Sequence, residues 1–259
     1  MLKKLNLIMN SDNFLAFVDK LQDLTGIEDT IKMKISKDHI LIYSILGNEG
    51  QVSAMKCFLL DTKTYISNFE EEENYDFVLT SSSKFVKNIK FFDPKKSIKL
   101  ELSAKTVPDE DNLFQIRTIH LHNGKLKISS IGAELHKIRD LNKKFIDTKL
   151  DLKKSKWNFT VSLEDFTSIK KLSTINNEDR ILNINVQTNK VFFSEISKWE
   201  LEVDDVQVSN QHIMFNKKYL SNIDLDKGDI KFNIFENFIL IKDDESNLML
   251  SFEQDFSTD

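Results

Sequence analysis

The sequence predicts an α+β protein built from curved antiparallel sheets that are covered by helices on one face. Apolar and polar residues alternate with a period of two over many short segments, which is typical of strands with one buried face and one wet face. Four times, such a strand is followed by a polar break, an amphipathic helix and two or three further alternating strands. A unit of this kind, repeated without an attached catalytic motif, indicates a shape built by stacking similar units.

The four repeats begin at Lys4, Tyr75, Trp157 and His212. Their opening segments read KLNLIMNSDNFLAFVDKLQDL, YDFVLTSSSKFVKNIKFF, WNFTVSLEDFTSIKKLSTI and HIMFNKKYLSNI. Strand-like runs follow each opening: IKMKI and HILIY in the first repeat, IKLEL in the second, LNINV and WELEV in the third, IKFNI and FILI in the fourth. These runs predict antiparallel hairpins in every repeat.

The length of the chain and one change of pattern predict two domains. A chain of 259 residues with 40% hydrophobic content most naturally forms two domains. Strand alternation stops between Ala133 and Lys156, where charge is dense. We therefore expect a first domain over 1–132, a connector over 133–156 and a second domain over 157–259. Within the connector, apolar residues recur at near-helical spacing, which predicts a short helix lying on the sheet.

The composition restricts the expected cellular location and the kinds of partner that the protein can bind. No apolar run approaches the roughly 20 residues that a membrane-spanning helix needs, so we expect a cytoplasmic protein with no membrane partner. The lone Cys57 excludes an intrachain disulfide framework and is expected to be a small buried hydrophobe. The formal charge of −5 argues against a protein that coats nucleic acid over its whole surface. It leaves room for a local basic face.

Lysines cluster on the predicted outer faces of three helices. At about 100° per residue, Val86 and Ile89 of the second helix fall opposite its lysines. The candidate outer residues are Lys84, Lys87, Lys90, Lys170, Lys171, Lys217 and Lys218. Predicted N-caps are Ser81 to Ser83, Ser162 and Asn216. The first helix breaks this pattern, because its outer side carries Asp12, Asp19 and Asp23 against Lys20.

Exposed lysine on a single helix usually serves solubility. Lysine in equivalent places of three repeats, in an otherwise acidic chain, instead predicts one basic surface if the fold brings those helices together. Lysine ammonium groups neutralise phosphate as point charges and do not fix base geometry. The implied contact with nucleic acid is therefore independent of base sequence.

The doubled strand, helix and strands pattern, twice per domain with a long connector, resembles DNA sliding clamps, the processivity factors of polymerases. The likeness is to the two-domain clamps, proliferating cell nuclear antigen and the shorter clamps of T-even-like phages, because bacterial clamps have three domains. It covers nearly the whole chain but rests on architecture. The closest local likeness is FNIFENFILIKDDESNLMLSFEQD from Phe232, which reads like the final hairpin and acidic tail of a clamp. The Phe-, Asn- and Lys-rich composition favours a phage origin.

This resemblance implies a closed homotrimer in which the helices line a hole and the seven lysines face double-stranded DNA. It implies a DNA polymerase and a clamp loader as partners and no cofactor. Ring closure would pair the edge strand Lys125, Leu126, Lys127 and Ile128 with Trp199, Leu201 and Val203 of a neighbour. Partner proteins would dock on apolar residues near the connector and the C-terminal end, with candidates Leu141, Phe145, Phe252 and Phe256.

Enzyme interpretations are weaker. His120 and His122 share one strand face, but no third ligand lies at a recognisable spacing, so we expect no metal site. The sequence has no glycine-rich phosphate loop, no nucleophile elbow and no carboxylate pair in a recognisable motif. Three alternatives stay open: a monomeric clamp-like polymerase accessory protein, an unrecognised carboxylate-dependent enzyme, and a viral structural β-sandwich protein.

Overall fold

The protein forms two compact units of mixed α and β structure. The computed structural model describes residues 2–9, 11–48, 51–93, 95–108, 110–133, 152–175, 181–187, 190–195, 199–203, 211–221, 225, 228–244 and 246–252. One unit comprises Met1–Ile45 with Lys56–Asp140, and the other comprises Leu46–Met55 with Leu141–Asp259. The predicted connector over 133–156 stays a prediction, because residues 134–151 lie outside the described residues. The predicted α+β class is confirmed.

The first unit contains the first two repeats, except that Leu46–Met55 belong to the other unit. The first repeat is β1 Leu2–Met9, α1 Ser11–Leu24, β2 Thr30–Ile35, β3 His39–Asn48 and β4 Gln51–Asp61. A short helix that the sequence analysis did not predict, α2 Thr62–Tyr65, follows β4. The second repeat is β5 Asn74–Thr80, α3 Ser82–Ile89, β6 Ile98–Thr106, β7 Leu113–Asn123 and β8 Leu126–Ile131.

The second unit contains the other two repeats after a single 3-10 turn at Leu152–Lys154. The third repeat is β9 Trp157–Val161, α4 Leu163–Ile175, β10 Ile181–Gln187, β11 Lys190–Glu195 and β12 Trp199–Val203. The fourth is β13 Gln211–Asn216, α5 Lys218–Ser221, β14 Ile230–Ile234, β15 Phe238–Lys242 and β16 Ser246–Ser251. The predicted strand and helix open each of the four repeats, and three strands follow where two or three were predicted.

The strands of the first unit follow the order β1-β6-β7-β5-β2-β3-β4, with β8 also paired to β7. The pairing of β5 with β7 is parallel over Asn74–Asp76 and Leu113–Gln115, and the other registers described for this unit are antiparallel. Along β6, buried and exposed residues alternate from Ile98 to Leu102. The two-residue period therefore has the predicted cause, since one face of the strand is buried and the other is wet.

The core of the first unit lies between its sheet and the helices α1 and α3. From α1 it takes Phe14, Phe17, Val18, Leu21 and Leu24, as the helical spacing predicts. The ring of Phe14 stacks on that of Phe92, just beyond α3, with 5.7 Å between centroids. The two helices therefore lie side by side over the same apolar surface. Cys57 is buried as predicted, and burial raises the pKa of its thiol to about 12.

A buried ion pair attaches α1 to β4. The Lys56 side chain is fully buried, and its ammonium group donates a hydrogen bond to the carboxylate of Asp23, whose side chain is only 10% exposed. The same ammonium group lies 5.2 Å from the ring centroid of Phe58. The prediction that Asp23 belongs to the wet face of α1 was therefore wrong. Burial of the lysine on the adjacent strand requires a carboxylate at this position of the helix.

The outer edge of β1 is covered by the loop that follows α2. The side chain of Asn68 accepts a hydrogen bond from the Ile8 amide at 2.8 Å and donates one to the Asn6 carbonyl at 2.9 Å. The Ser67 amide donates to the Ile8 carbonyl at 3.1 Å. Lys3 holds the same loop through ion pairs with Glu71 and Glu73. These contacts satisfy backbone groups that an edge strand would otherwise leave open to another chain.

The second unit has two sheets and an aromatic core. Its strands follow the orders β4-β16-β15-β14-β9 and β12-β11-β10-β13, and the registers described for β9 to β16 are antiparallel. Phe232 of β14 contacts Phe159 at 4.8 Å, Phe193 at 5.5 Å and Phe166 of α4 at 6.1 Å between centroids. All four rings are buried. No helix in the described part of the chain is both long and apolar enough to span a membrane.

We expect Asp23→Asn to lower the free energy of unfolding by about 3 kcal/mol, because it removes the negative charge of the group that accepts a hydrogen bond from the buried Lys56 ammonium. Urea unfolding measures the change, provided that the slope of the unfolding free energy against urea concentration is the same for wild type and variant. Asp19→Asn on the exposed face of the same helix is the control and should change stability by less than about 0.5 kcal/mol.

Replacing both partners, as Asp23→Asn with Lys56→Met, should recover most of the loss, since no charge is then buried. Equal stabilities for the Asp23 and Asp19 variants would show that the ion pair contributes nothing.

Candidate nucleic-acid interface

Helix α3 presents the lysine face that the sequence predicts. Val86 and Ile89 are buried, and Phe85 packs partly buried against the core. Lys84, Lys87 and Lys90 are exposed on the opposite side. Because the three lysines recur every three residues, they follow one another along a single face of the helix. The arrangement can neutralise successive phosphates without reading bases.

The start of α3 is fixed by a residue distant in the chain. Ser81, at the N-cap, has a left-handed φ of 55° and makes no side-chain capping hydrogen bond. The Asp29 carboxylate instead accepts hydrogen bonds from the Ser83 amide at 2.6 Å and the Ser82 hydroxyl at 3.2 Å. The predicted position of the N-cap is therefore confirmed at Ser81, but the side chain that satisfies the first turn of the helix is that of Asp29. No local pattern around Asp29 could have revealed this role, because it depends on how β2 packs beside α3.

The environment of Asp29 favours its charged form. Partial burial acts to raise its pKa, but the hydrogen bonds from Ser83 and Ser82 and the nearby charge of Lys87 outweigh that effect. The pKa of Asp29 is therefore lowered below its ordinary value of 3.8. A negatively charged carboxylate beside the first turn also interacts favourably with the positive end of the helix dipole. Asp29 thus positions the helix that carries the lysine face.

Helix α4 is less basic than α3. Lys171 is exposed and Lys170 is partly exposed, whereas Glu164 in the first turn is also exposed. Ser162 caps the helix as predicted: its hydroxyl oxygen accepts a hydrogen bond from the Asp165 amide at 3.0 Å. The same hydroxyl donates to the Asp165 carboxylate at 2.7 Å. Acidic residues near the start of α4 therefore offset part of the positive field of its lysines.

Helix α5 begins one residue later than the lysine pattern assumes. Lys218 is exposed, and its ammonium group lies 5.8 Å from the ring centroid of Tyr219. Lys217 is only 5% exposed, so the prediction that it lies on the outer face was wrong. It occupies the turn before the helix, where a rotation of 100° per residue does not apply. The predicted cap is confirmed, since the side chain of Asn216 accepts a hydrogen bond from the Lys218 amide at 3.1 Å.

The outer face of α1 is acidic and partly apolar. Asp12 and Asp19 are exposed, and Leu15 is 44% exposed. Lys20 places its ammonium group 5.0 Å from the ring centroid of Phe58. With Asp23 engaged by Lys56, two of the three predicted surface acids remain on this face. Within the first unit, the lysine face of α3 therefore lies beside an acidic helix.

The residues predicted for subunit and partner contacts are only partly described. Lys125, Leu126 and Lys127 are exposed and Ile128 is partly buried, all in the β7–β8 hairpin. Trp199, Leu201 and Val203 form β12, which pairs with β11. Of the predicted partner residues, Phe252 is half-buried, and its amide donates a hydrogen bond to the Asn237 carbonyl at 3.1 Å. Leu141, Phe145 and Phe256 lie outside the described residues.

Solved structures share this architecture across nearly the whole chain. Proliferating cellular nuclear antigen of Entamoeba histolytica matches with a TM-score of 0.64 and 14% identity, covering 96% of this chain and 98% of that chain. That of A. fulgidus, bound to the C-terminal region of FEN-1, has a TM-score of 0.63 and 9% identity, covering 98% and 99%. The Helicobacter pylori β clamp bound to a DNA ligase peptide has a TM-score of 0.65 and 15% identity, covering 96% and 65%. The chain has the sliding-clamp fold.

The likeness to clamps is one of fold. No protein-family model matches the sequence, and no curated protein matches it. The chain spans about two thirds of the length of bacterial clamps and nearly all of the nuclear-antigen chains. The architecture is therefore shared at identities of 9 to 15% in the three structures named above.

The two histidines of the sequence pattern are engaged within the sheet. Nδ1 of His120 lies 2.7 Å from the Ser129 hydroxyl, and Nε2 of His122 lies 3.1 Å from the Glu101 carboxylate. The nearby imidazole of His122 lowers the pKa of Glu101. Within the described residues, no cluster of three or more histidine, cysteine or acidic side chains could hold a metal ion.

We expect Asp29→Ala to destabilise the protein by about 1 kcal/mol near neutral pH, because it removes the cap of α3. The contribution of a carboxylate with a lowered pKa is present above its ordinary pKa and is lost as the pH falls through the lowered value. The stabilities of wild type and variant should therefore converge in acid. Urea unfolding over a pH series measures this.

Asp29→Asn is the matched control, since the amide oxygen can still accept the hydrogen bonds but carries no charge. It should lose less stability than the alanine variant at neutral pH. A gap between wild type and Asp29→Ala that stays constant into acid would contradict the assigned role.

Proposed function

We propose that this protein is a sliding clamp, a non-enzymatic processivity factor that encircles double-stranded DNA as a closed homotrimer and tethers a replicative polymerase. The clamp fold over at least 96% of the chain supports the proposal. The observation that carries the DNA contact is the exposed lysine face of α3, opposite the residues that bury this helix. In the proposed ring, Lys84, Lys87 and Lys90 face the duplex.

The other lysines of the proposed DNA interface are chosen by their exposure. Lys171 of α4 and Lys218 of α5 are exposed, and Lys170 is partly so. Lys217 is omitted, because its side chain is buried. Contacts of this kind act through phosphate charge and leave base sequence unread, which allows a protein to slide along DNA. The net charge of −5 elsewhere discourages binding through other surfaces.

Two strand edges support closure into an oligomer. Among the described strands, β8 pairs only with β7, and β12 pairs only with β11. Unpaired edges of this kind are templates for another chain, whereas the edge of β1 is covered by its own loop. We propose that β8 of one protomer joins β12 of the next. Three chains of two domains, with boundaries near 1–132 and 157–259 and a connector between them, complete the proposed ring.

The proposal also includes the partner proteins and the residues on which they dock. The H. pylori clamp was solved with a DNA ligase peptide and the A. fulgidus protein with the C-terminal region of FEN-1. By analogy we propose that a polymerase and a clamp loader dock here through apolar anchors, which carry most of the energy in small interfaces. Candidates are Leu141, Phe145, Phe252 and Phe256. Composition supports a phage source, and the proposed place of action is the cytoplasm of the host cell.

The main rival is a monomeric clamp-like polymerase accessory protein with the same fold. Oligomeric mass separates the two functions. We expect light scattering at micromolar concentration to give three times the 30.2 kDa of the chain. A monomer at every concentration tested would reject the ring and leave the clamp fold intact.

We expect the combined substitution of Lys84, Lys87, Lys90, Lys171 and Lys218 by Glu to abolish processive synthesis and salt-sensitive binding to nicked DNA. Each lost phosphate contact should reduce the slope of log K against log salt by about 0.9. Thermal stability should change little, because exposed charges contribute little to folding. Single substitutions should each have a weak and similar effect.

The matched control reverses the same number of exposed lysines on other elements. Lys4, Lys63, Lys95, Lys105 and Lys231 serve this purpose. This control alters the net charge equally, so it should bind DNA more tightly than the helix variant does. Processive synthesis at the wild-type level by the helix variant, with its trimer intact, would mean that these helices do not face DNA.

A further inference from the structure

We propose that an ion pair between Lys127 of β8 and Glu202 of β12 in a second copy of this chain sets the register of the subunit contact. In this register the pairs are Leu126 with Val203, Lys127 with Glu202, Ile128 with Leu201, Ser129 with Glu200 and Ser130 with Trp199, antiparallel. The inference rests on the proposed function, since it assumes that β8 and β12 meet. It adds which residues oppose one another and why.

Strand β8 is an edge strand that leaves large apolar side chains exposed. Leu126 is 41% exposed and Ile131 is 78% exposed, so both are among the large apolar residues that the chain leaves uncovered. Lys127 lies between them and is also exposed. The edge of β1 in the same unit is covered by the Ser67 and Asn68 contacts. Natural proteins protect edges that must not pair, and β8 has no comparable cover among the described residues.

Charge complementarity identifies the occupant as a second copy. The segment from Trp199 to Asp205 reads WELEVDD, with four acidic residues and no basic one. The β7–β8 hairpin carries Lys125 and Lys127, and its turn at Gly124 lies close to the ammonium group of Lys96. The acidic strand of one copy therefore attracts the basic hairpin of a second copy. Opposite charges directly across a strand pair stabilise it, whereas like charges destabilise it.

The alternation of faces restricts the register. Ile128 packs against the core of the first unit, so its neighbours Lys127 and Ser129 belong to the other face of β8. Residue 201 pairs with Phe193, and residue 203 pairs with Val191, both fully buried. A one-residue slip would turn every side chain to the wrong face. Only registers that place Ile128 opposite 199, 201 or 203 therefore preserve both faces.

The extent of overlap selects among these registers. Placing Ile128 opposite Leu201 pairs five residues of β8 with all five residues of β12. Moving the strands by two residues in one direction leaves three such pairs, and in the other it leaves four and puts Ser130 opposite Leu201. The register displaced by two residues also sets Lys127 opposite a glutamate, Glu200, so the longer ladder overlap decides between the two alignments.

The test exchanges the two charges in the full-length protein. Lys127→Glu and Glu202→Lys should each raise the dissociation constant of the oligomer at least about tenfold, because like charges then face each other in every subunit contact. The double variant Lys127→Glu with Glu202→Lys should restore the wild-type value within about threefold. Sedimentation velocity over a dilution series measures all four proteins. Lys127→Gln and Glu202→Gln, which remove one charge without creating repulsion, should weaken the oligomer less than the reversals do.

The control pairs Lys127→Glu with Glu200→Lys, which matches the net charge of the rescue variant. Restoration by Glu200→Lys in place of Glu202→Lys would overturn the register in favour of one displaced by two residues. Unchanged assembly in both single reversals, or no restoration by either double variant, would overturn the ion pair. A wild-type chain that is monomeric would reject the proposed ring itself, and this result is distinct from any failure of the register.

Discussion

The structure depends on the need of each sheet to bury one apolar face. In the first unit α1 and α3 meet this need together, since both contribute to one core and the rings of Phe14 and Phe92 stack between them. Once Val86 and Ile89 are buried, the helical period leaves Lys84, Lys87 and Lys90 no place but the opposite face. The candidate DNA contact is therefore a consequence of core packing. Its charge can vary without loss of the fold, whereas its position cannot.

Unpaired backbone at sheet edges is the second constraint. The chain treats its edges unequally, because Asn68 and Ser67 satisfy the backbone of β1 while Lys3 and the acidic loop hold them in place. The exposed Leu126 and Ile131 of β8 receive no such cover from the described residues. Within the first unit, this leaves the edge of β8 available to another chain and closes that of β1.

Most of the fold could be predicted from the sequence, because alternation and helical spacing report local burial. The four repeats, the buried side of α1 and the caps at Ser162 and Asn216 are local properties of this kind. The errors concern contacts between distant residues. Asp29 caps α3 from a position before β2, and Asp23 leaves the wet face because Lys56 is buried beside it. No pattern within one helix contains that information.

The candidate site shows the same division. The lysines of α3 lie in a helix of more than two turns, where a rotation of 100° per residue locates them correctly. The prediction for Lys217 was wrong because the helix that follows it spans only Lys218–Ser221. An error of one residue in the start of so short a helix is enough to assign a buried side chain to the surface. Helix ends are where sequence patterns are least exact. Short helices consist mostly of ends.

The acidic face of α1 is consistent with a clamp that must move. Asp12 and Asp19 remain exposed beside the lysine face of α3, so the first unit presents repulsion and attraction to phosphate on neighbouring helices. Each lysine contact released to solvent is replaced by a counter-ion, and the net affinity per contact is small. In the proposed ring, closure holds the protein on DNA, so strong phosphate binding would only slow its movement. In that ring, a lining of mixed charge would favour no single position along the duplex.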